Sequence, residues 1–252
     1  MLNMRKVIIF LAGAYIINFS PSCKTVYQAQ SVQYKDYRIS QSIAKDSGVI
    51  AMLRPYADSV NNSMNAVIAI SEIELEKKQP ESPLGNLLAD VMLEMARQNY
   101  KIPVDIAFVN FGGIRLPYLP AGNITRGKIF ELAPFDNIIV LQKISGKLLQ
   151  QLLDHIASKG GWPSSGITWQ IKNKKAINVI VGGAPINESA VYTISVVDYL
   201  ANGGDDCNML RPVPQINNGY LFRDAVFDYF SILTKKGKKI TAKIEKRVSY
   251  AD

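Results

Sequence analysis

The chain has 252 residues, 48% of them hydrophobic and 20% charged, which is ordinary globular composition and enough for one large domain or two small ones around a sizeable core. Lys and Arg number 29 against 21 Asp and Glu, for a formal charge of +8, with two cysteines and one histidine. One histidine argues against a His-rich metal centre.

The first stretch, "MLNMRKVIIFLAGAYIINFSPSC", sets Arg5 and Lys6 ahead of an apolar run from Val7 to about Phe19, and small residues then lead to Cys23. That is the layout of a secretory signal, too short to span a membrane comfortably. Cys23 stands where cleavage is expected, as in a bacterial lipoprotein whose mature chain starts at a lipid-modified cysteine; an uncleaved anchor is the plainer alternative. We therefore expect a lipoprotein signal over residues 1–22, a polar linker over 23–35 and one domain over 36–252. Cleavage would remove Arg5 and Lys6 and no acid, lowering the charge from +8 to +6. With Cys23 lipidated, Cys207 has no disulfide partner. Much of the surplus charge lies in the tail "TKKGKKITAKIEKR". A basic surface suits phosphorylated ligands, although a charge run is more often a solvated face. No recognised nucleic-acid module accompanies it, so nucleic acid is not an expected partner.

In chain order, "YKDYRIS" alternates like a short strand, and residues 41–64 place Ile43, Ile50, Leu53 and Met64 at helical spacing. "NAVIAISEIELE" reads as a strand, and "PLGNLLADVMLEMARQ" as an amphipathic helix with Leu84, Leu87, Leu88, Val91, Met92 and Met95 inward. "VDIAFVN" is a buried strand running into the two-glycine turn "FGGIR". "GNITRGKIFELAPF" gives a short strand and a short helix capped by Thr125, "NIIVLQKI" another buried strand, and "SGKLLQQLLDHIAS" a helix opening at Ser145. From Gly166 the period shifts toward two in "GITWQIK", "AINVIV" and "AVYTISVV", which reads as a meander. A helix near "YLFRDAVFDYFSIL" and a polar strand "ITAKIEKRVSY" close the chain. Interleaved elements followed by clustered strands predict an α+β fold, a mixed β-sheet with flanking helices.

No G-x-S-x-G elbow, P-loop or dinucleotide fingerprint is present. His155 sits inside a predicted helix, where a satisfied or surface histidine is the ordinary case. Asp205 and Asp206 are adjacent, but neighbouring side chains of an extended segment face opposite ways, so they need not form an acid–base pair. What remains is a set of glycine loops at strand ends. In "NFGGIR", Gly112 and Gly113 let backbone approach a ligand while Asn110 can donate and Arg115 can grip an oxyanion with two bonds. In "APFDN", Phe135 follows a proline and precedes polar residues, an awkward place for a core ring and a good one for stacking. In "DYLANGGDD", Tyr199 offers a second ring, Gly203 and Gly204 let the loop curl tightly, and Asp205 can accept bonds from vicinal hydroxyls. Taken singly, each has a bland reading: a tight turn, a core phenylalanine, a solvent loop.

In combination and in this order, the strings "ESPLGNLLAD" at 81–90, "DIAFVNFGGIR" at 105–115, "GNITRGKIFELAPFDN" at 122–137 and "LANGGDD" at 200–206 make the chain from about 65 to 235 resemble the C-terminal, substrate-binding domain of the 5′-nucleotidase family. Full enzymes of that family carry a metallophosphatase domain with two metal ions ahead of it; here signal peptide and linker are expected in that place. The resemblance implies that Asn110 and Arg115 contact phosphate, that Phe135 and Tyr199 sandwich a nucleobase, that Asn137 hydrogen-bonds the base and that Asp205 holds the ribose hydroxyls. Tyr199 stands where Phe is more usual. Some members have an arginine immediately before the glutamate of the first string, where this chain has Pro80; Lys77 or Lys78 is the available substitute, as a point charge without a bidentate fork.

The resemblance thus implies the nucleotide-binding subunit of a split 5′-nucleotidase, inactive alone and without a cofactor of its own. It would position a nucleoside monophosphate or related nucleotide for a separately encoded metallophosphatase that holds the divalent metals. An exported chain anchored by lipid in the periplasm or at the outer membrane of a Gram-negative bacterium is the matching location. The contrasting expectations are a stand-alone nucleotide- or nucleoside-binding lipoprotein and a degenerate domain kept only for interactions.

Overall fold

A computed structural model describes residues 31–38, 40 and 43–251. The expected signal peptide and Cys23 lie outside them. By packing, the chain divides into residues 1–47 and 48–252. The first unit's described residues show no strand, so the alternation read in "YKDYRIS" is not a strand over 34–38 or at 40. Those positions are exposed, and alternation without a neighbouring chain to bond gives no ladder.

The elements run α1 (Ser47–Met64), β1 (Val67–Ser71), β2 (Leu75–Glu76), α2 (Pro83–Tyr100), β3 (Ile106–Phe108), β4 (Tyr118–Leu119), β5 (Gly122–Thr125), α3 (Arg126–Leu132), β6 (Ile139–Ser145), α4 (Gly146–Ser158), β7 (Ser164–Ser165), β8 (Ile167–Lys172), β9 (Lys175–Val181), β10 (Ala184–Pro185), β11 (Val191–Val197), α5 (Asp198–Ala201), β12 (Gln215–Ile216), α6 (Phe222–Lys235) and β13 (Val248–Tyr250). The central sheet is mixed, in the order β12-β6-β11-β3-β7, with only the β11–β3 pair parallel. A second sheet runs β10-β9-β8-β13, and two short ladders join β1 to β5 and β2 to β4. This is the α+β architecture expected from the sequence.

Helix α2 covers the central sheet, touching β3, β7 and β11, and its six inward residues read from the sequence are all buried. Ser82 caps it by accepting from the Gly85 N–H at 3.1 Å, and Pro83 opens its first turn, where a missing N–H costs nothing. Each fully buried Leu or Val contributes about 1.5–3 kcal/mol, so this face anchors the domain. The Thr125 and Ser145 caps form as expected, accepting from Lys128 N and Leu148 N at 3.2 Å each.

The expected meander ends early. β8, β9 and β10 follow one another antiparallel, but β11 leaves that sheet and lies between β6 and β3. Its last four residues are all buried, the continuous burial of a central strand rather than the alternation of a one-sided one. At the C-terminus only Val248–Tyr250 of "ITAKIEKRVSY" is strand, paired parallel to β8. Helix α1 buries no residue and exposes Ile50, Met52, Leu53, Tyr56 and Val60.

Candidate functional site

Sheet direction brings three loops to one edge. Val197 at the end of β11 pairs with Ile139 at the start of β6, because those strands are antiparallel; β3 runs parallel to β11 and ends on the same side. The segments beyond β3, before β6 and after β11 are "NFGGIR", "APFDN" and "DYLANGGDD". They enclose a pocket of about 330 Å³, at the small end of the usual range for ligand sites. Asn110, Gly112, Gly113, Arg115, Phe135, Asn137, Tyr199 and Asp205 line it. Of the ten binding residues expected from the sequence, Gly203 and Gly204 alone fall outside the lining, and they serve from behind.

The Asp205 wall is built from left-handed backbone. Gly203 has φ 90, and Asp205 itself holds φ 49, ψ 34, a conformation that Asp tolerates better than most residues but that still costs free energy. Every polar group of Asp205 is engaged. Asn110 donates from Nδ2 to its Oδ2 at 2.8 Å, and the Tyr199 hydroxyl donates to its Oδ1 at 3.0 Å. Its own N–H donates to the Tyr199 oxygen at 3.2 Å, and its carbonyl lies 2.8 Å from His155 Nε2. Gly204 makes this fit possible. A methyl group there would stand 2.4, 2.5 and 2.6 Å from three consecutive carbons of the Tyr199 ring, and near-equal distances mean it would sit over the ring face. One face of Tyr199 is therefore floored by backbone, while the residue as a whole stays 46% exposed and lines the pocket. Gly113 is bound by the same logic, since a methyl there would meet Asn110 Oδ1 at 2.6 Å.

Phe135 is likewise 46% exposed, so it is not a core ring. Its loop is pinned from below by Arg223 of α6, which is buried, donates to the carbonyls of Pro134 at 3.0 Å and of Ala133 and Phe135 at 3.5 Å, and pairs with Asp136. Asn137 is fixed through its backbone, its carbonyl accepting from Phe222 N at 2.9 Å. Asp198 ties this loop to the Tyr199 loop: one carboxylate oxygen accepts from Ile138 N at 3.0 Å and from Tyr199 N at 2.9 Å. The Arg115 guanidinium lies 5.6 Å from the Phe135 ring centre and 3.4 Å from the Gly112 carbonyl, and among the described residues it makes no ion pair. Lys77 donates to the Ile114 carbonyl at 2.7 Å and stands 4.0 Å over the Phe111 ring; burial first, and then the charge of Arg115, lower its pKa from the usual lysine value. Lys78, by contrast, is exposed and paired with Glu76.

Sequence reasoning did not find Arg223, Asp198 or Lys159. Arg223 had a signal, a charge inside the apolar run "YLFRDAVF", where an arginine facing the core needs partners. Asp198 opened the quoted motif without a role. His155 is satisfied inside the protein as expected, but by the site loop itself, and it meets Trp162 edge-on at 6.1 Å. Asp206 turns away from the pocket to Lys159 at 2.9 Å, which holds its carboxyl below the usual range. Among the described residues no cluster of three or more His, Cys, Asp or Glu could hold a metal ion.

Two half-exposed rings, a carboxylate held by hydrogen bonds and a guanidinium without an ion pair thus surround one small pocket, a set of groups whose chemistry suits an aromatic, hydroxylated anion. The chain belongs to the 5′-nucleotidase C-terminal domain family, whose model matches residues 60–212. It is 28% identical to the 5′-nucleotidase of Vibrio parahaemolyticus over 202 residues, 76% of this chain and 35% of that one. It is also 28% identical over 185 residues to endonuclease YhcR of Bacillus subtilis, covering 70% of this chain and 14% of the other. In structure it is similar to a 5′-nucleotidase precursor from Thermus thermophilus, with TM-score 0.70 and 29% identity over 80% of this chain and 43% of that one. The chain thus spans about a third of the length of the 5′-nucleotidase it matches.

Proposed function

We propose that this chain is the nucleotide-binding subunit of a split 5′-nucleotidase. The observation that carries the reading is the convergence of three separate loops on one pocket lined by Phe135, Tyr199, Asp205 and Arg115, which supports stacking, hydroxyl-accepting and anion-binding roles for them. A nucleobase lies between the open faces of Phe135 and Tyr199, Asn137 bonds its edge, and Asp205 takes the ribose hydroxyls. Asn110 and Arg115 hold the phosphate, with Lys77 adding a cation beside Arg115.

In this reading the chain orients its ligand so that the phosphoryl group meets a metal-bound water in a separately encoded metallophosphatase. The divalent metals belong to that partner. Docking and release replace the closing motion of a linked domain, and the unburied apolar side chains of α1 support such a contact. Export and a lipid anchor at Cys23 belong to the same proposal. No helix among the described residues is long and apolar enough to cross a membrane.

The test is phosphate release from AMP. The purified chain with added divalent metal releases none. Addition of a metallophosphatase encoded beside it raises release well above that enzyme alone, and the gain disappears with Phe135→Ala. Binding of AMP with no gain from the partner would leave a stand-alone nucleotide-binding lipoprotein. Radiolabelled palmitate incorporation that persisted in Cys23→Ala would remove the anchor from the proposal.

A further inference from the structure

The Tyr199 hydroxyl donates to the Asp205 carboxylate, and this is a contact that stacking does not require. A carboxylate offers about four acceptor directions, two on each oxygen. In the free protein one direction on Oδ1 is filled by Tyr199 and one on Oδ2 by Asn110. One direction therefore remains on each oxygen. With both oxygens held, the carboxylate cannot turn about its own axis, and with the backbone N–H tied to Tyr199 and the carbonyl to His155, the residue cannot swing away. Two fixed, adjacent acceptors match a cis-diol, each hydroxyl donating to its own oxygen.

We propose that the Tyr199 hydroxyl sets the preference of the pocket for ribose over 2′-deoxyribose by holding Asp205 as a two-pronged acceptor. The inference rests on the nucleotide reading of the site. Tyr199 acts here as a positioning residue, through Asp205. Replacing it by Phe keeps the ring, its exposed face and its Gly204 floor, and removes only the hydroxyl. Asp205 Oδ1 then loses its donor and the Asp205 N–H its acceptor, so the carboxylate is free to turn about its bond to Asn110. A ribose, which needs both oxygens in place, loses by this; a 2′-deoxyribose, which uses one, is nearly indifferent.

The measurement is calorimetric titration of AMP and 2′-deoxy-AMP into wild type, Tyr199→Phe, Asp205→Asn and the double variant, with melting temperatures alongside. Wild type is expected to favour AMP. Tyr199→Phe is expected to weaken AMP by about three- to tenfold, the scale of the net contribution of one typical hydrogen bond, and to leave 2′-deoxy-AMP within about twofold, because stacking is retained. Asp205→Asn is expected to erase the preference, and adding Tyr199→Phe to it to cost nothing further, since the two side chains act as a unit. Equal losses for both nucleotides in Tyr199→Phe, or additive losses in the double variant, would overturn the proposal. Equal affinity of wild type for the two nucleotides would also overturn it while leaving the nucleotide reading intact; binding of neither would remove both.

Discussion

The two ends of the pocket are built differently. At the Asp205 end every polar group is matched within the chain: carboxylate to Asn110 and Tyr199, N–H to Tyr199, carbonyl to His155. At the Arg115 end the guanidinium has one long contact to a carbonyl and a ring beside it, and Lys77 next to it is held below its usual pKa. A matched end is preorganised, so its geometry is spent on selectivity. An unmatched cationic end stores affinity for a charge that arrives with the ligand. In the proposed nucleotide reading, the chain fixes sugar and base itself and leaves the anion subsite to be completed on binding.

The largest effect should come from breaking the tied end at its tightest point. Gly204→Val drives a side chain into the Tyr199 ring, displacing the ring and Asp205 together; AMP affinity is expected to fall on the order of a hundredfold or more, with the circular dichroism spectrum unchanged. Next comes the shared wall. Phe135→Ala should cost about 1–3 kcal/mol of AMP binding, borrowing the scale of base–ring stacking, while the melting temperature stays put because the ring is half exposed. Arg115→Ala sharpens the contrast between the ends: AMP should weaken about tenfold and adenosine hardly at all, as expected for loss of a charge-assisted contact to phosphate alone.

The smallest effect concerns Cys207, buried directly after the site loop. Burial first, then the charges of Asp205 and Asp206, push its thiol up to about 12, so it stays protonated in the folded chain. A pKa raised above its unfolded value of 9.0 adds stability that is fully present below about 9 and is lost as pH rises toward about 12. At neutral pH alkylation by iodoacetamide should be slow in buffer, fast in denaturant, and slower still with AMP bound, because the reactive thiolate forms only when this loop opens.

Much of this site was legible in the sequence, because its signals are local. Glycine pairs mark where backbone must come close, and Phe135 after a proline among polar residues reads as awkward for a core ring, with the core alternative open in the sequence and closed by its half exposure. Helix α2 was legible for a similar reason, its apolar spacing and Ser-Pro start being properties of one segment. The placement of β11 was not, since apolar alternation reports a half-buried strand but not which sheet receives it. Arg223, Asp198 and Lys159 escaped because each acts on residues tens of positions away, and nothing in a single sequence pairs Arg223 with the carbonyl of Pro134. The first, short strand failed for lack of a partner to bond.

The central claim is that one pocket reads base, sugar and phosphate together, and competition calorimetry with AMP, adenosine and ribose 5-phosphate on the wild-type chain tests it most directly. The account predicts that AMP binds best, that adenosine keeps the larger share of the affinity, and that ribose 5-phosphate, with no ring to stack on Phe135 and Tyr199, binds weakest. Ribose 5-phosphate binding as tightly as AMP, or no binding of any of the three, would contradict it.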